Sequence, residues 1–168
     1  DKACHKVLAV YKKLVEDLNN PKQVSFFNEI TEENETHTYI FDNAKANRPI
    51  QFIEKFCKHS KGKWAGKPVR LELWQKAFIQ ALFGFVDKDT GLRKYKKGLL
   101  FVGRKNGKST IDAGLGNYML TSAGEGGAEV YSVATKKDQA KVVWEEAKRM
   151  IKKSPVLAKR IRTLVNGL

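Results

Sequence analysis

The stretch Gly98-Leu99-Leu100-Phe101-Val102-Gly103-Arg104-Lys105-Asn106-Gly107-Lys108-Ser109-Thr110 decides how the rest of this 168-residue chain is read. Its first half is a short apolar run bounded by glycine, the pattern of a buried strand. Its second half is polar and basic, and it opens a helix-forming segment from about Lys108 to Leu120. A glycine-containing turn that leads from a strand into a helix is where successive backbone N–H groups converge on phosphate. The usual phosphate-loop pattern is GxxxxGK[ST]. Gly107-Lys108-Ser109 supplies its second half, whereas the first glycine would fall at Val102 and stands one position later, at Gly103.

Such a site asks for few side chains. Gly107 permits close approach, Lys108 carries charge toward the β/γ-phosphates, and the Ser109 hydroxyl suits Mg²⁺. Arg104 and Lys105 add two more cations, and Gly103, Asn106 and Thr110 complete the candidate loop. An arginine four residues before the lysine is placed to reach the γ-phosphate and stabilise charge developing in transfer. The plainer alternative is a basic strand-to-helix turn with no ligand.

Downstream, Ala128 to Ala134 forms a second apolar, strand-like run after Gly124-Glu125-Gly126-Gly127. Thr135 to Asp138 has capping-box spacing and opens a helix with Ala140, Val143, Trp144, Ala147, Met150 and Ile151 facing inward. Ser154-Pro155 ends it, leaving room for one short further turn over 156–161. Strand, helix, strand, helix predicts an α/β fold, a parallel sheet flanked by helices with right-handed crossovers.

Upstream, Val7, Leu8, Tyr11, Leu14, Val15 and Leu18 recur at helical spacing within Ala3 to Leu18. Residues 22–38 are polar and acidic and read as loop. Ile50, Phe52, Ile53, Phe56 and Cys57 predict a second helix with Pro49 in its first turn. A basic connector, Lys61 to Pro68, leads to a third helix over about 72–85, with Leu73, Ala77, Phe78, Ala81 and Leu82 on one face; Asp87 to Gly91 is turn chemistry. The division expected is a helical and irregular segment, 1–60, and a phosphate-loop domain, 61–168, which the family resemblance below implies is the first part of an ATPase domain.

Charge narrows the partners. The net charge is +14, with seven Lys or Arg and no acid from Thr90 to Ile111, and six and none from Lys55 to Arg70. Clustered positive charge marks a polyanion binder. Two cysteines without a CxxC pair argue against a disulfide scaffold or zinc site, and His5, His37 and His59 are scattered. Glu29, Glu32, Glu33 and Glu35 are expected to be solvated. No apolar run approaches the about 20 residues of a membrane span, and no secretory leader pattern is seen.

The residues Gly98 to Thr110, centred on Arg-Lys-Asn-Gly-Lys-Ser, resemble the ATPase loop of tailed-phage terminase large subunits, a deviant Walker A with arginine four residues before the lysine. Lys61 to Pro68 followed by Leu73-Trp74-Gln75 is similar to the segment that leads to that family's adenine-binding glutamine. Val130 to Ala140 resembles the family's next strand and helix. The resemblance implies that Lys108 and Ser109 serve the nucleotide phosphates and Mg²⁺, that Arg104 is a catalytic arginine acting in cis, and that Gln75 reads the adenine edge of ATP. Trp74 is read as a core residue, with packing near the base as the alternative.

It further implies a motor that packages double-stranded DNA into procapsids in the host cytoplasm, with a portal protein and a small terminase subunit as partners and a ring assembled on the portal. No acidic Walker B run and no carboxylate-rich nuclease follow within the 168 residues, so they read as the N-terminal part of a larger subunit. The alternatives are a helicase-like ATPase on nucleic acid and a non-catalytic basic DNA-binding module.

Overall fold

A computed structural model describes residues 5–163. The elements are α1 (His5–Asn19), β1 (Gln23–Asn28), β2 (Glu33–Phe41), α2 (Asn43–Phe56), a 3₁₀ turn (Gly62–Trp64), α3 (Leu73–Gly84), β3 (Phe85–Asp87), α4 (Lys108–Thr121), α5 (Lys137–Lys153) and α6 (Pro155–Arg160). They form two compact units. One comprises the described residues up to Asn47 with Lys76–Gly98, the other Arg48–Gln75 with the described residues from Leu99 onward.

The first unit holds a three-stranded sheet in the order β1-β2-β3, antiparallel throughout. Residues 22–38, expected to be loop, are instead a hairpin with Gln23 opposite Thr38 and Asn28 opposite Glu33. β1 is exposed along nearly its whole length and β2 is half-buried from His37 to Phe41, so neither strand is announced by an alternation of buried and exposed positions. Cross-strand pairs hold them instead. The Ser25 and Thr36 hydroxyls bond at 2.8 Å, and Phe26 stacks on His37 with ring centroids 4.9 Å apart. At the turn, Asn28 Oδ1 accepts the Ile30 N–H at 2.9 Å, the local bonding that lets asparagine replace a backbone partner. The turn expected at Asp87 to Gly91 is present: Asp87 Oδ1 accepts from the Thr90 N–H at 2.7 Å and the Thr90 hydroxyl at 2.8 Å.

Helix α1 is anchored by charge more than by its apolar stripe. Leu8, Tyr11 and Leu14 are half-buried, but Val7, Val15 and Leu18 are exposed. Asp17 is the buried residue, and it accepts a 2.9 Å hydrogen bond from Lys94 with Lys22 at 3.5 Å. Helix α2 begins well before its expected start near Pro49, because the Asp42 side chain accepts the Lys45 N–H at 2.9 Å and caps it. Pro49 therefore lies inside the helix, where it gives up one backbone bond.

In the second unit, Ile53 of α2 packs against Gly114 of α4 so closely that a Cβ on Gly114 would lie 3.0 Å from Ile53 Cγ1. Phe52 meets Tyr118 edge-on at 5.6 Å. Helix α5 joins this core through Ala147, Met150 and Ile151, and α6 adds Leu157. Of the inward face expected for α5, Ala140, Val143 and Trp144 are only half-buried. The expected capping box does not form: α5 starts after Lys136 without a side-chain cap, and Thr135 Oγ1 donates to Gln139 Oε1 at 3.3 Å. The buried stripe of α3 is also not the one expected. Gln75, Ile79 and Phe83 are buried at i, i+4, i+8, while Leu73 is 85% exposed.

The two apolar runs expected as strands, 98–103 and 128–134, belong to no strand among the described residues. Phe101 is 96% exposed and Val133 89%. A buried parallel strand needs ladder partners for its N–H and C=O groups and cover on both faces. No strand lies beside either run among the described residues, so the parallel sheet is not formed and the sheet present is antiparallel.

Candidate nucleotide-binding site

The candidate loop turns the chain from the extended run at 98–103 into α4. Two residues take left-handed backbone angles, Lys105 at φ 66° and Gly107 at φ 75°. Gly107 is the residue that caps α4, and it supplies no side-chain hydrogen bond there. The first N–H groups of a helix have no partner within it, so those of Lys108, Ser109 and Thr110 are left to point outward at the positive end of the helix dipole. A helix end of this kind can take an anion on backbone amides alone. The glycine also serves packing: a Cβ on it would come within 3.1 Å of Gln75 Nε2.

Lys108 folds back over the loop, its ammonium donating to the carbonyl oxygens of Val102 at 2.5 Å and Gly103 at 3.4 Å. Its charge is thus held against the carbonyls at the start of the loop. One turn further on, burial raises the Asp112 carboxyl above its ordinary proton affinity, and the Lys108 charge works against that shift. Arg104 and Lys105 are exposed at the loop tip, and no ion pair among the described residues engages either. Asn106 braces the turn by donating to the Arg104 carbonyl at 3.3 Å.

Gln75 lies beside this loop, buried in the first turn of α3. Its Oε1 accepts the Glu72 N–H at 2.9 Å, and its Nε2 donates to the Asn106 carbonyl at 3.4 Å. An amide group with two donors and two acceptor lone pairs keeps capacity for a further partner. Trp74, its neighbour, is half-buried.

Sequence reasoning missed the surroundings of Ser109. Ser109 lines a cleft of about 230 Å³ together with Lys61, Asp138, Lys141, Glu145, Glu146 and Arg149. Asp138, Glu145 and Arg149 recur at i, i+7, i+11 along α5, a one-face spacing that could have flagged them. Glu146 accepts a 2.5 Å hydrogen bond from Ser60, which pins that rim. The acids at 29–35 do not join the site. Glu35 is bonded to Asn28 and His37 within the hairpin. No group of three or more His, Cys, Asp or Glu among the described residues is placed to hold a metal ion. Cys57 is buried, and desolvation pushes its thiol up to about 12, so it is inert. No helix among the described residues is long and apolar enough to cross a membrane.

The candidate loop and Gln75 both fall within residues 73–166, which match the family model described as "Terminase large subunit, ATPase domain". The chain is 32% identical over 124 residues to the "Terminase, large subunit" of Enterobacteria phage HK97, an overlap covering 73% of this chain and 23% of that protein. The crystal structure of the HK97 bacteriophage large terminase superposes with a TM-score of 0.60 at 28% identity, over 73% of this chain and 24% of that one. The chain thus spans about a quarter of the length of the relatives it matches. With a phosphate-type loop, a buried glutamine against it and these three likenesses in agreement, the chain belongs to the terminase large subunit ATPase-domain family.

Proposed function

We propose that this chain is a nucleotide-binding part of a terminase large subunit, in which ATP hydrolysis drives double-stranded DNA into procapsids. The observation that carries the reading is the α4 N-terminus. Its uncapped amides, the left-handed Gly107 and the ammonium of Lys108 meet at one loop, with Gln75 fastened to that loop from behind.

The residues present fit Mg-ATP. Backbone amides of α4 take phosphate oxygens without desolvating a carboxylate, and Lys108 exchanges its bonds to the Val102 and Gly103 carbonyls for bonds to phosphate. Lys105, Asn106 and Thr110 shape and flank this cradle. Ser109 offers the hydroxyl that a phosphate-bound Mg²⁺ takes as ligand. Arg104, exposed at the loop tip, swings onto the γ-phosphate and stabilises the charge that develops as it departs. Gln75 uses its spare donor and acceptor on the adenine edge while keeping hold of Asn106.

In this reading residues 61–168 are the first part of the ATPase domain. The runs at 98–103 and 128–134 become strands of a parallel sheet once strands from the rest of the subunit lie beside them. A C-terminal nuclease, a portal-bound ring, a small terminase subunit and assembly in the host cytoplasm belong to the same proposal, which rests on the family. Isothermal titration of Mg-ATP into the chain tests it: weak binding is expected, with negligible turnover, and Lys108→Ala abolishes the binding. Unchanged binding in a folded Lys108→Ala protein removes this loop from the proposal.

A further inference from the structure

The stretch from Lys55 to Arg70 carries six bases and no acid, and its centre is a built loop rather than a loose tether. Lys58 bridges Pro68 in antiparallel fashion, the His59 N–H donates to the Lys67 carbonyl at 2.9 Å, and the Gly66 N–H donates to the His59 carbonyl at 2.8 Å. The 3₁₀ turn at the tip is closed by the Ala65 N–H on the Gly62 carbonyl at 3.0 Å, and the Lys67 N–H donates to the Trp64 carbonyl at 2.9 Å just after it. The tip presents Trp64, which is 51% exposed, with Lys67 Nζ at 4.8 Å and Lys63 Nζ at 5.3 Å from the indole centroid. The ring therefore gathers two ammonium groups that would otherwise repel each other. Among the described residues no ion pair engages Lys58, Lys63 or Lys67, whereas Arg70 has Glu54 at 4.0 Å. Lys61, just before the turn, lines the cleft that holds Ser109, so the loop rises beside that cleft in the same unit.

We infer that this loop is a contact for the phosphate backbone of a nucleic acid, made by Lys63 and Lys67 and completed by the face or edge of Trp64. Uncompensated point charges on a rigid turn suit evenly spaced phosphates read without regard to sequence. An exposed aromatic beside them suits a sugar or base surface. A folded acidic protein would need an apolar centre to its interface, and a bilayer would need an apolar face. The loop offers one indole and Ala65, which serves neither. The contact does not depend on the nucleotide site.

The test is fluorescence anisotropy of the 168-residue chain on a short random-sequence duplex and on its single strand, across a potassium chloride series. Replacing both Lys63→Ala and Lys67→Ala is expected to reduce the slope of log affinity against log salt by about 1.8 on the duplex, about 0.9 for each phosphate that is no longer neutralised. Trp64→Ala is expected to weaken binding several-fold with little change of slope. Mg-ATP binding stays unchanged in both, so failure here is separable from failure of the nucleotide reading. If the alanine pair melts early, Lys63→Gln with Lys67→Gln keeps the stems over the indole and reads the same charge loss. An unchanged slope overturns the inference. So does an equal slope reduction from Lys96→Ala with Lys97→Ala, which would show bulk charge alone, and so does binding to phosphatidylserine vesicles but not to duplex or single strand.

Discussion

Gln75 Nε2 donates to the Asn106 carbonyl at 3.4 Å, tying the first turn of α3 to the loop that carries Gly107 and Lys108. The loop is therefore held from behind by a buried amide, itself fixed through Oε1 to the Glu72 N–H. Removing this tie loosens the residue that aims the α4 amides. Gln75→Ala is expected to weaken ATP about tenfold, near the value of one hydrogen bond with its ordering. Inorganic triphosphate should lose less, because it has no base. Titration calorimetry on both ligands checks this; an equal loss on both assigns Gln75 to the loop alone.

Gly107 should tolerate no side chain. At φ 75° an L-residue costs about 1–2 kcal/mol, and its Cβ would stand 3.1 Å from Gln75 Nε2. Gly107→Ala is expected to lower the denaturation midpoint and to remove nucleotide binding together. Retained stability with lost binding would show that the loop relaxes and only its aim matters.

The pair formed by His37 Nδ1 and Asp87 Oδ2, 2.8 Å apart, links folding to pH on two limbs. The Thr90 amide is the main cause that brings the Asp87 carboxyl down to about 2. Its stabilising contribution is therefore present above the unfolded value of about 3.9 and is lost as pH falls through the folded one. The hydrogen bond to Asp87 raises His37, with Glu35 adding to the shift. That contribution is full below the unfolded value of about 6.5 and disappears as pH rises through the raised one. Thermal melts across pH should show both limbs, and His37→Gln should abolish the upper limb. An identical profile in the variant would exclude His37 as the linked group.

Asp17 and Lys94 are the anchor of α1. Asp17 is 4% exposed, and the hydrogen bond from Lys94 is the leading cause that holds its carboxyl below the ordinary range. Lys94→Met leaves a buried carboxylate with only Lys22 at 3.5 Å and Lys13 at 3.9 Å. A loss of about 2 kcal/mol is expected, below the full cost of an orphaned buried charge because those cations remain. Urea denaturation measures it, and Asp17→Asn with Lys94→Met should recover part of the loss.

Local chemistry is enough to place α4, α5 and α6 and to single out the candidate loop. The 3.6-residue spacing in 137–153, the proline after Ser154 and the glycine–lysine–serine run before 110 act through neighbours in the chain, and the structure puts α5, α6 and the α4 N-terminus there. Helix boundaries are less legible where two local signals compete, as when Asp42 caps α2 ahead of Pro49. The hairpin at 23–41 is hidden because β1 is mostly exposed, β2 has no alternating buried face, and the two are held by cross-strand partners such as Phe26 on His37, which no one-strand period reveals.

Tertiary structure alone decided which neighbours each element received. It selected Gln75, Ile79 and Phe83 as the buried stripe of α3, brought Gln75 to Asn106 across 31 positions of chain, and set Asp138, Glu145 and Glu146 around the Ser109 cleft. It also left 98–103 and 128–134 without ladder partners among the described residues, although both read as strands. Apolar character fixes what a segment must hide, but a strand exists only when another strand completes its hydrogen bonds, and that partner is a property of the fold.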